Sequence, residues 1–238
     1  RKAYYHLVLL AKNATGYKNL VKLSSLAYTE GFYSRPRVDR ELLARYNEGI
    51  IVSSACMAGE VANHLLADNW VAAREAAAWY ANTFRDYYLE VQAHTTSNQA
   101  ELNQRVFRLA EELGIPVVAT NDAHFLRAED HAAHDVLLCI GLGKDHGSLD
   151  RMRYNEGLYF KNAGEIASSF PGRPDVLENT VRIGEDCAIE FTKKYQVPAF
   201  PLPEGASSEN DLLIQLSTQG ARAVRRFAPG GSAAAARL

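Results

Sequence analysis

The sequence predicts an α/β fold in which parallel strands alternate with helices. Apolar, β-prone segments recur four times between Tyr4 and Ile140, and a segment with helical spacing of apolar residues follows each of them. The strands are almost continuously apolar, as in LVLL and VVAT, which is expected when helices cover both faces of a parallel sheet. Four such units predict a parallel sheet or part of a barrel, because four are too few to close one.

The predicted elements follow one another in a regular order. The four predicted strands span residues 4–11, 49–53, 87–92 and 115–120. The predicted helices that follow them span residues 15–27, 60–84 in one or two pieces, 98–113 and 128–140. In the third helix Leu102, Val106 and Leu109 fall on one face, and Gly114 provides a C-cap.

A different pattern follows Gly143. A short strand is predicted at 158–160 and helices at 163–170 and 175–190. The connector VPAFPLPEG then holds three prolines, which make a chain extended and semi-rigid. We therefore predict one domain over residues 1–196, and over 197–238 a linker with the helical start of a next domain (208–227) and a disordered tail from about residue 228.

Composition excludes several classes of protein. The formal net charge of -2 provides no general basic stripe for nucleic acid, so any DNA contact should be modest. Three widely separated cysteines in apolar runs indicate buried thiols in a reducing, cytoplasmic setting. No apolar run approaches the roughly 20 residues that a membrane span needs, so no membrane partner is predicted.

Asp122 and His124 are the first candidate metal ligands, because they follow the fourth predicted strand two residues apart. In extended backbone such side chains point the same way, and a carboxylate beside an imidazole at a strand end can hold a divalent metal. The alternative is that Asp122 caps the following helix and His124 is a surface residue.

Two more histidines extend the candidate set. His94 lies just past the third strand, in phase with Glu90 and Gln92, and His6 lies where the first strand begins. Each alone is typical of a core or surface histidine. The other histidines at 64, 131, 134 and 146 are interpreted as helix or loop residues, and Ser53-Ser54-Ala55-Cys56 as a strand end entering a helix.

Six segments taken together resemble a known family, and the resemblance runs from about Ala3 to Phe227. They are YYHLVLLAKNATGYKNLVKLSSLAY, GEVANHLL, ELGIPVVATNDAHFL, AHDVLLCIGLGKD, LENTVRI and VPAFPLPEG. The sequence resembles the alpha subunits of bacterial replicative DNA polymerase III, the C-family polymerases. The resemblance implies an N-terminal PHP domain, a distorted (β/α)7 barrel with parallel strands. Part of that barrel is expected here, without its N-terminal strands.

The resemblance also implies a metal cleft at the strand ends. His6, His94, Asp122 and His124 stand where the family's later metal ligands occur. The earlier ligands would precede Arg1, so the cleft is expected to be incomplete. A divalent ion, Zn²⁺, Mn²⁺ or Mg²⁺, would support phosphodiester hydrolysis by a 3'-to-5' exonuclease. No other cofactor is expected.

For the whole protein, the resemblance implies a DNA-directed DNA polymerase in chromosomal replication. Its Mg²⁺-binding aspartates would lie beyond Leu238, so no polymerase catalytic residue is named and the chain alone is expected to be inactive. The implied partners are primer-template DNA, deoxynucleoside triphosphates, the sliding clamp, the clamp loader and the proofreading exonuclease subunit. The alternatives are a free-standing PHP phosphoesterase and a non-catalytic scaffold domain.

Overall fold

A computed structural model describes residues 4–94, 98–193, 195 and 197–223. The chain divides into two compact units, Arg1–Glu190 and Phe191–Leu238. The strands of the first unit are β1 (Val8–Ala11), β2 (Ile50–Ser53), β3 (Asp86–Gln92) and β4 (Val117–Thr120). Its helices are α1 (Ala14–Thr29), α2 (Arg40–Arg45), α3 (Glu60–Leu66), α4 (Trp70–Thr83), α5 (Gln99–Leu113), α6 (His131–Leu142), α7 (Ala163–Ser169) and α8 (Pro174–Asp186). The second unit contains α9 (Glu209–Ala223).

The four strands form one sheet in the order β1-β2-β3-β4. The parallel pairing of β2 with β3 and of β3 with β4 confirms the prediction for these strands. The prediction of a parallel β1 is wrong, because β1 pairs antiparallel with β2, with Ala11 opposite Ile50. Two helices, α1 and α2, connect these strands, and β2 begins at the edge of the sheet where β1 ends. The backbone N–H of Lys12 donates to the Gly49 carbonyl at this edge, at 2.8 Å.

A close backbone contact fixes this connection. The Asn13 side chain caps α1 by accepting a hydrogen bond from the N–H of Gly16 at 3.0 Å. A Cβ atom on Gly16 would come within 1.8 Å of the Gly49 carbonyl oxygen. Gly49 itself has φ +70°, the left-handed region that favours glycine. Both glycines are therefore required where α1 crosses the start of β2.

Helices cover both faces of β2, β3 and β4, as the continuous apolar strands predicted, whereas the prediction is wrong for β1, in which Val8 and Leu10 are exposed. The larger core contains Val52, Leu89 and Val91 of the strands with buried residues of α1, α3, α4 and α5. On the opposite face Ile51, Tyr88 and Val118 pack against Ile183 of α8 and Cys187 just beyond it.

Helix α8 also lies along the free edge of β4. The Asn179 side-chain amide donates to the Val117 carbonyl at 2.8 Å, and the Thr180 hydroxyl donates to the Ala119 carbonyl at 3.1 Å. These bonds satisfy strand acceptors that would otherwise be offered to another chain.

Most other elements agree in kind with the predictions and differ at their ends. The segment predicted as one or two helices over 60–84 is α3 and α4, and the first strand is shorter than predicted, so that His6 forms only an isolated bridge to Gly59. The predicted short strand at 158–160 is a single bridge between Phe125 and Tyr159. The helix predicted to Phe227 is described to Ala223, and the predicted tail from about residue 228 lies outside the described residues.

Three further expectations bear on the class of protein. The structure describes four strands, so membership of a seven-stranded barrel stays a prediction, as does the domain boundary at 196/197. Cys56, Cys139 and Cys187 are all free thiols. Among the described residues, no helix combines the length and the apolar character needed to span a bilayer.

Candidate metal site at the strand ends

A cavity of about 410 Å³ lies at the carboxyl ends of the parallel strands. Its lining includes five residues with side chains suited to metal or phosphate chemistry: His6, Cys56, Glu90, Gln92 and Asp122. The carboxyl ends of parallel strands meet at the same edge of a sheet, where open α/β sheets usually bind ligands. Two of the four predicted ligands, His6 and Asp122, therefore share one cavity.

His6 reaches this cavity because β1 runs antiparallel to its neighbour. In a parallel β1 the residues before the strand would lie at the opposite edge of the sheet. In the structure, Val8 pairs with Ser53 at the carboxyl end of β2, and the His6 N–H donates to the Ala58 carbonyl at 3.1 Å. The prediction that His6 joins the other candidates thus depends on the strand direction that the sequence analysis missed.

Cys56 is a neighbour of His6 that the sequence analysis set aside. Its Sγ lies 3.6 Å from Nδ1 of His6. Burial raises the pKa of the Cys56 thiol, and the charges of Asp122 and Glu90 raise it further. The thiol is therefore protonated at neutral pH in this structure, and it would bind a metal only after losing its proton. Its position just past the end of β2 was the available signal, since the same rule selected His94.

Asp122 and His124 are not arranged as an extended D-x-H pair. Strand β4 ends at Thr120, and Asp122 has φ +50°, so the extended-backbone premise is wrong here. His124 Nδ1 instead lies 2.6 Å from the main-chain carbonyl oxygen of Asp122. A carbonyl oxygen only accepts, so Nδ1 carries a proton, and Nε2 is the ring nitrogen left for coordination. Metal-binding histidines commonly donate their other ring N–H to a backbone carbonyl in this way.

His94 is buried, with 7% of its surface exposed. Burial lowers its pKa, the charge of Asp122 opposes this, and the charges of Lys161 and His124 lower it further. His94, Asp122, His124 and Lys161 therefore share one electrostatic neighbourhood, and His94 is held in the neutral form that metals require. Its Nε2 lies 2.9 Å from Oε1 of Gln92.

Glu90 is a buried carboxylate in the lining of the cavity, and the sequence did not point to it as a ligand. Oε1 accepts hydrogen bonds from the Thr120 hydroxyl at 2.7 Å and the Gln92 amide at 3.1 Å, and Oε2 accepts one from the Ser53 hydroxyl. These bonds connect the ends of β2, β3 and β4. The alternation of Glu90 with buried apolar residues in the strand was the signal for it.

Asn121 and Lys161 hold the loop that carries Asp122. The buried Asn121 amide donates to the carbonyls of Gly157 at 3.0 Å and Tyr159 at 2.6 Å, and its Oδ1 accepts from Lys161 Nζ at 2.9 Å. Lys161 also donates to the Gly157 carbonyl, and its Nζ lies 4.7 Å from the centroid of the Tyr159 ring. Burial lowers the pKa of Lys161. No sequence pattern pointed to this lysine.

Two histidines that were interpreted as helix or loop residues lie close to the site, His134 next to His124 and His131 next to Tyr154. The ring centroids of His124 and His134 are 6.2 Å apart, and the ring of Tyr154 lies 4.1 Å from that of His124. His131 Nε2 lies 3.0 Å from the Tyr154 carbonyl oxygen. Residues at the start of α6 therefore pack against His124 and Tyr154.

The candidate side chains are of the kinds that bind a divalent ion, but they are not close enough together to hold one in this structure. Neutral imidazoles and a carboxylate are accepted ligands of Zn²⁺ and Mn²⁺. Within the described ranges, no three His, Cys, Asp or Glu side chains are grouped closely enough to hold an ion. The ligand set His6, His94, Asp122 and His124 therefore stays a prediction.

Comparison with known proteins gives the site its context. Residues 1–94 match the family model of the PHP domain. The chain is 39% identical to a DNA polymerase III subunit alpha of Borreliella burgdorferi, and 40% identical to one of Treponema pallidum. Each match covers 92% of this chain and 19% of the relative. A DNA polymerase III subunit alpha of Thermus aquaticus is 37% identical over 91% of this chain and 18% of its own length.

The extent of these matches defines what is related. The chain spans about a fifth of the length of each of these relatives. Identity of this level over nine tenths of the chain is shared by relatives from distant bacteria. Residues 1–94 therefore resemble a PHP domain, and the chain is similar, over nearly its whole length, to part of the bacterial DNA polymerase III alpha subunits.

Proposed function

We propose that the chain is part of a DNA-directed DNA polymerase III alpha subunit that acts in chromosomal replication. Its similarity to these subunits over about nine tenths of its length supports the proposal. Primer-template DNA, deoxynucleoside triphosphates, Mg²⁺, the clamp, the clamp loader and the proofreading subunit are proposed for the whole polypeptide. Primer extension by the product of the complete gene tests this, and no extension with any divalent ion would contradict it.

For the PHP region itself we propose divalent-metal-dependent hydrolysis of phosphodiesters from the 3' end of DNA. The observation that carries this proposal is the shared cavity of His6, Cys56 and Asp122, with His94 and His124 in the same electrostatic neighbourhood. When bound, a divalent ion would lower the pKa of its water and would provide positive charge to stabilise the phosphate. The candidate ligands are His6, His94, Asp122 and His124.

The chain's own residues prepare this chemistry in three ways. The Asp122 carbonyl holds a proton of His124 on Nδ1, which leaves Nε2 as the nitrogen that can coordinate. Burial keeps His94 uncharged and therefore able to coordinate. Lys161, which donates to Asn121 and acts electrostatically on His94, contributes positive charge to this neighbourhood, and positive charge favours a bound phosphate.

The test compares Asp122→Ala and His124→Ala with the matched control His146→Ala in the complete polypeptide, because the cleft is expected to be incomplete in this chain. His146 has an exposed side chain on a different loop. Metal content is measured by mass spectrometry, and 3'-end degradation is measured on a 5'-labelled single strand with Mn²⁺. We expect metal content and rate to fall by about 100-fold in the two site variants, and to stay unchanged in His146→Ala.

Metal-free wild-type protein with unaltered site variants would refute the hydrolysis proposal. The non-catalytic scaffold would then be the remaining interpretation for this region. Activity on a small phosphate ester, with none on DNA, would instead favour the free-standing type of phosphoesterase.

A further inference from the structure

A second cavity of about 390 Å³ lies beside the candidate metal site. One wall is the approach to β1, with Tyr4 and Tyr5, and the other is the segment Pro36–Arg40. The two cavities share five lining residues: Tyr4, Tyr5, His6, Leu7 and Pro36. The second cavity therefore forms a groove that opens directly onto the candidate metal site.

The wall formed by residues 35–40 is basic, and the groove lining also includes the carboxylates of Asp39 and Glu60. The segment RPRVDR, residues 35–40, contains three arginines and one aspartate. Arg40 is already committed to Glu60, with Nη2 and Oε1 2.9 Å apart. Arg35 is exposed at the outer rim and Arg37 lines the wall. Arg37 donates to the Tyr33 carbonyl, which holds its guanidinium near Tyr33 on the wall, and the positive charges of Arg35 and Arg37 are placed to meet phosphates.

Aromatic rings accompany these arginines. The Arg35 guanidinium carbon lies 5.7 Å from the centroid of the Tyr4 ring, and that of Arg37 lies 5.0 Å from the Tyr33 ring. Tyr33 is 76% exposed and Tyr4 is 39% exposed. Aromatic faces next to cations are the elements that bind single strands, because unpaired bases stack on the rings while the cations follow the phosphates.

The loop that carries the arginines has a defined conformation. The Gly31 N–H donates to the Leu26 carbonyl at 3.0 Å. A Cβ atom on Gly31 would come within 2.0 Å of the Arg37 carbonyl oxygen, so the loop packs tightly against the end of α1. Asp39 caps α2 by accepting from the Leu42 N–H at 2.9 Å. The wall is thus built before any ligand arrives.

We propose that this groove binds single-stranded DNA and guides its end toward the candidate metal site. Bases stack on Tyr4 and Tyr33, and Arg35 and Arg37 contact the backbone phosphates. His6, which lines both cavities, marks the passage between them. The guiding role rests on the proposed hydrolytic function, whereas strand binding does not depend on it.

The test measures binding of the chain to a 5'-labelled oligothymidylate of about 12 nucleotides by fluorescence anisotropy, in EDTA so that no hydrolysis intervenes. Arg35→Ala should weaken binding several-fold and reduce the slope of log Kd against log salt by about 0.7, the value for one lost phosphate contact on a single strand. Tyr4→Ala should weaken binding about tenfold and leave the slope unchanged, because stacking releases no counterions.

Two controls accompany these variants. Tyr4→Phe should bind like the wild type, because it keeps the ring. Arg85→Ala removes an exposed arginine just before β3, at the opposite edge of the sheet, and should bind normally. Far-UV circular dichroism confirms that each variant is folded.

Unchanged binding by both Arg35→Ala and Tyr4→Ala would overturn the proposal, as would equal affinity for a duplex of the same length. The proposed hydrolytic function fails separately: Asp122→Ala protein that degrades DNA normally contradicts hydrolysis at that site and leaves strand binding by the groove intact.

Discussion

The loop that carries Asp122 should depend on a single buried amide. Replacing Asn121 by alanine removes two hydrogen bonds to main-chain carbonyls and the acceptor for the Lys161 ammonium. Each bond to a neutral carbonyl contributes about 1 kcal/mol, and the bond to the charged group about 2 kcal/mol. Lys161 keeps the Gly157 carbonyl and the Tyr159 ring as partners, which lowers the total. We expect the free energy of unfolding to fall by about 3 kcal/mol.

Urea denaturation measures this change. With an m value of about 2.5 kcal/mol per molar urea, the midpoint should fall by about 1.2 M, with m unchanged. Asn19→Ala is the matched control, because its amide donates one exposed hydrogen bond, to the Glu48 carbonyl at 2.9 Å. It should change stability by less than about 0.5 kcal/mol. If Asn121→Ala also falls within that limit, the amide does not hold the loop as described.

Three further outcomes are expected, all measured by urea denaturation. Gly16→Ala should lower the free energy of unfolding by about 3 kcal/mol, because the added Cβ would meet the Gly49 carbonyl oxygen at 1.8 Å. Gly141→Ala is the control, because Gly141 has open space around it, and it should be neutral or slightly stabilising. Equal effects of the two substitutions would contradict the close contact at Gly16. Tyr87→Phe should stabilise by up to about 1 kcal/mol, because the buried Tyr87 hydroxyl has no hydrogen-bond partner among the described residues. Arg151 lowers the pKa of Asp135 from its usual 3.8, so the stability that this pair contributes is present above about pH 4 and is lost as pH falls through the lowered pKa. Asp135→Asn should therefore be less stable than the wild type at pH 7, and its stability should depend less on acid. Parallel curves of stability against pH for the two proteins would contradict this.

The alternation of strands and helices was predictable because burial on both faces of a sheet leaves a continuous apolar run. The direction of β1 was not, because periodicity carries no information about direction. Pairing Ala11 with Ile50 requires the chain to turn back through α1 and α2. The sequence showed the first helix, whereas α2 has only six residues and little periodicity to detect.

The candidate site was predictable where its residues follow strand ends. His94 and Asp122 were selected on that basis, and they lie in one electrostatic neighbourhood. Lys161 was not predictable, because it meets Asn121 across 40 positions from a segment without regular secondary structure. Such a contact depends on tertiary packing, which single-sequence patterns do not encode.

Asn179 and Thr180 of α8 donate hydrogen bonds to the edge carbonyls of β4. Another strand could therefore be added to the sheet only at β1. A further strand, from this polypeptide or from another, would have to displace α8 to join at β4. Among the described strands, β1 forms the other edge of the sheet. Any enlargement of the sheet should therefore proceed from β1, next to the groove that leads to His6.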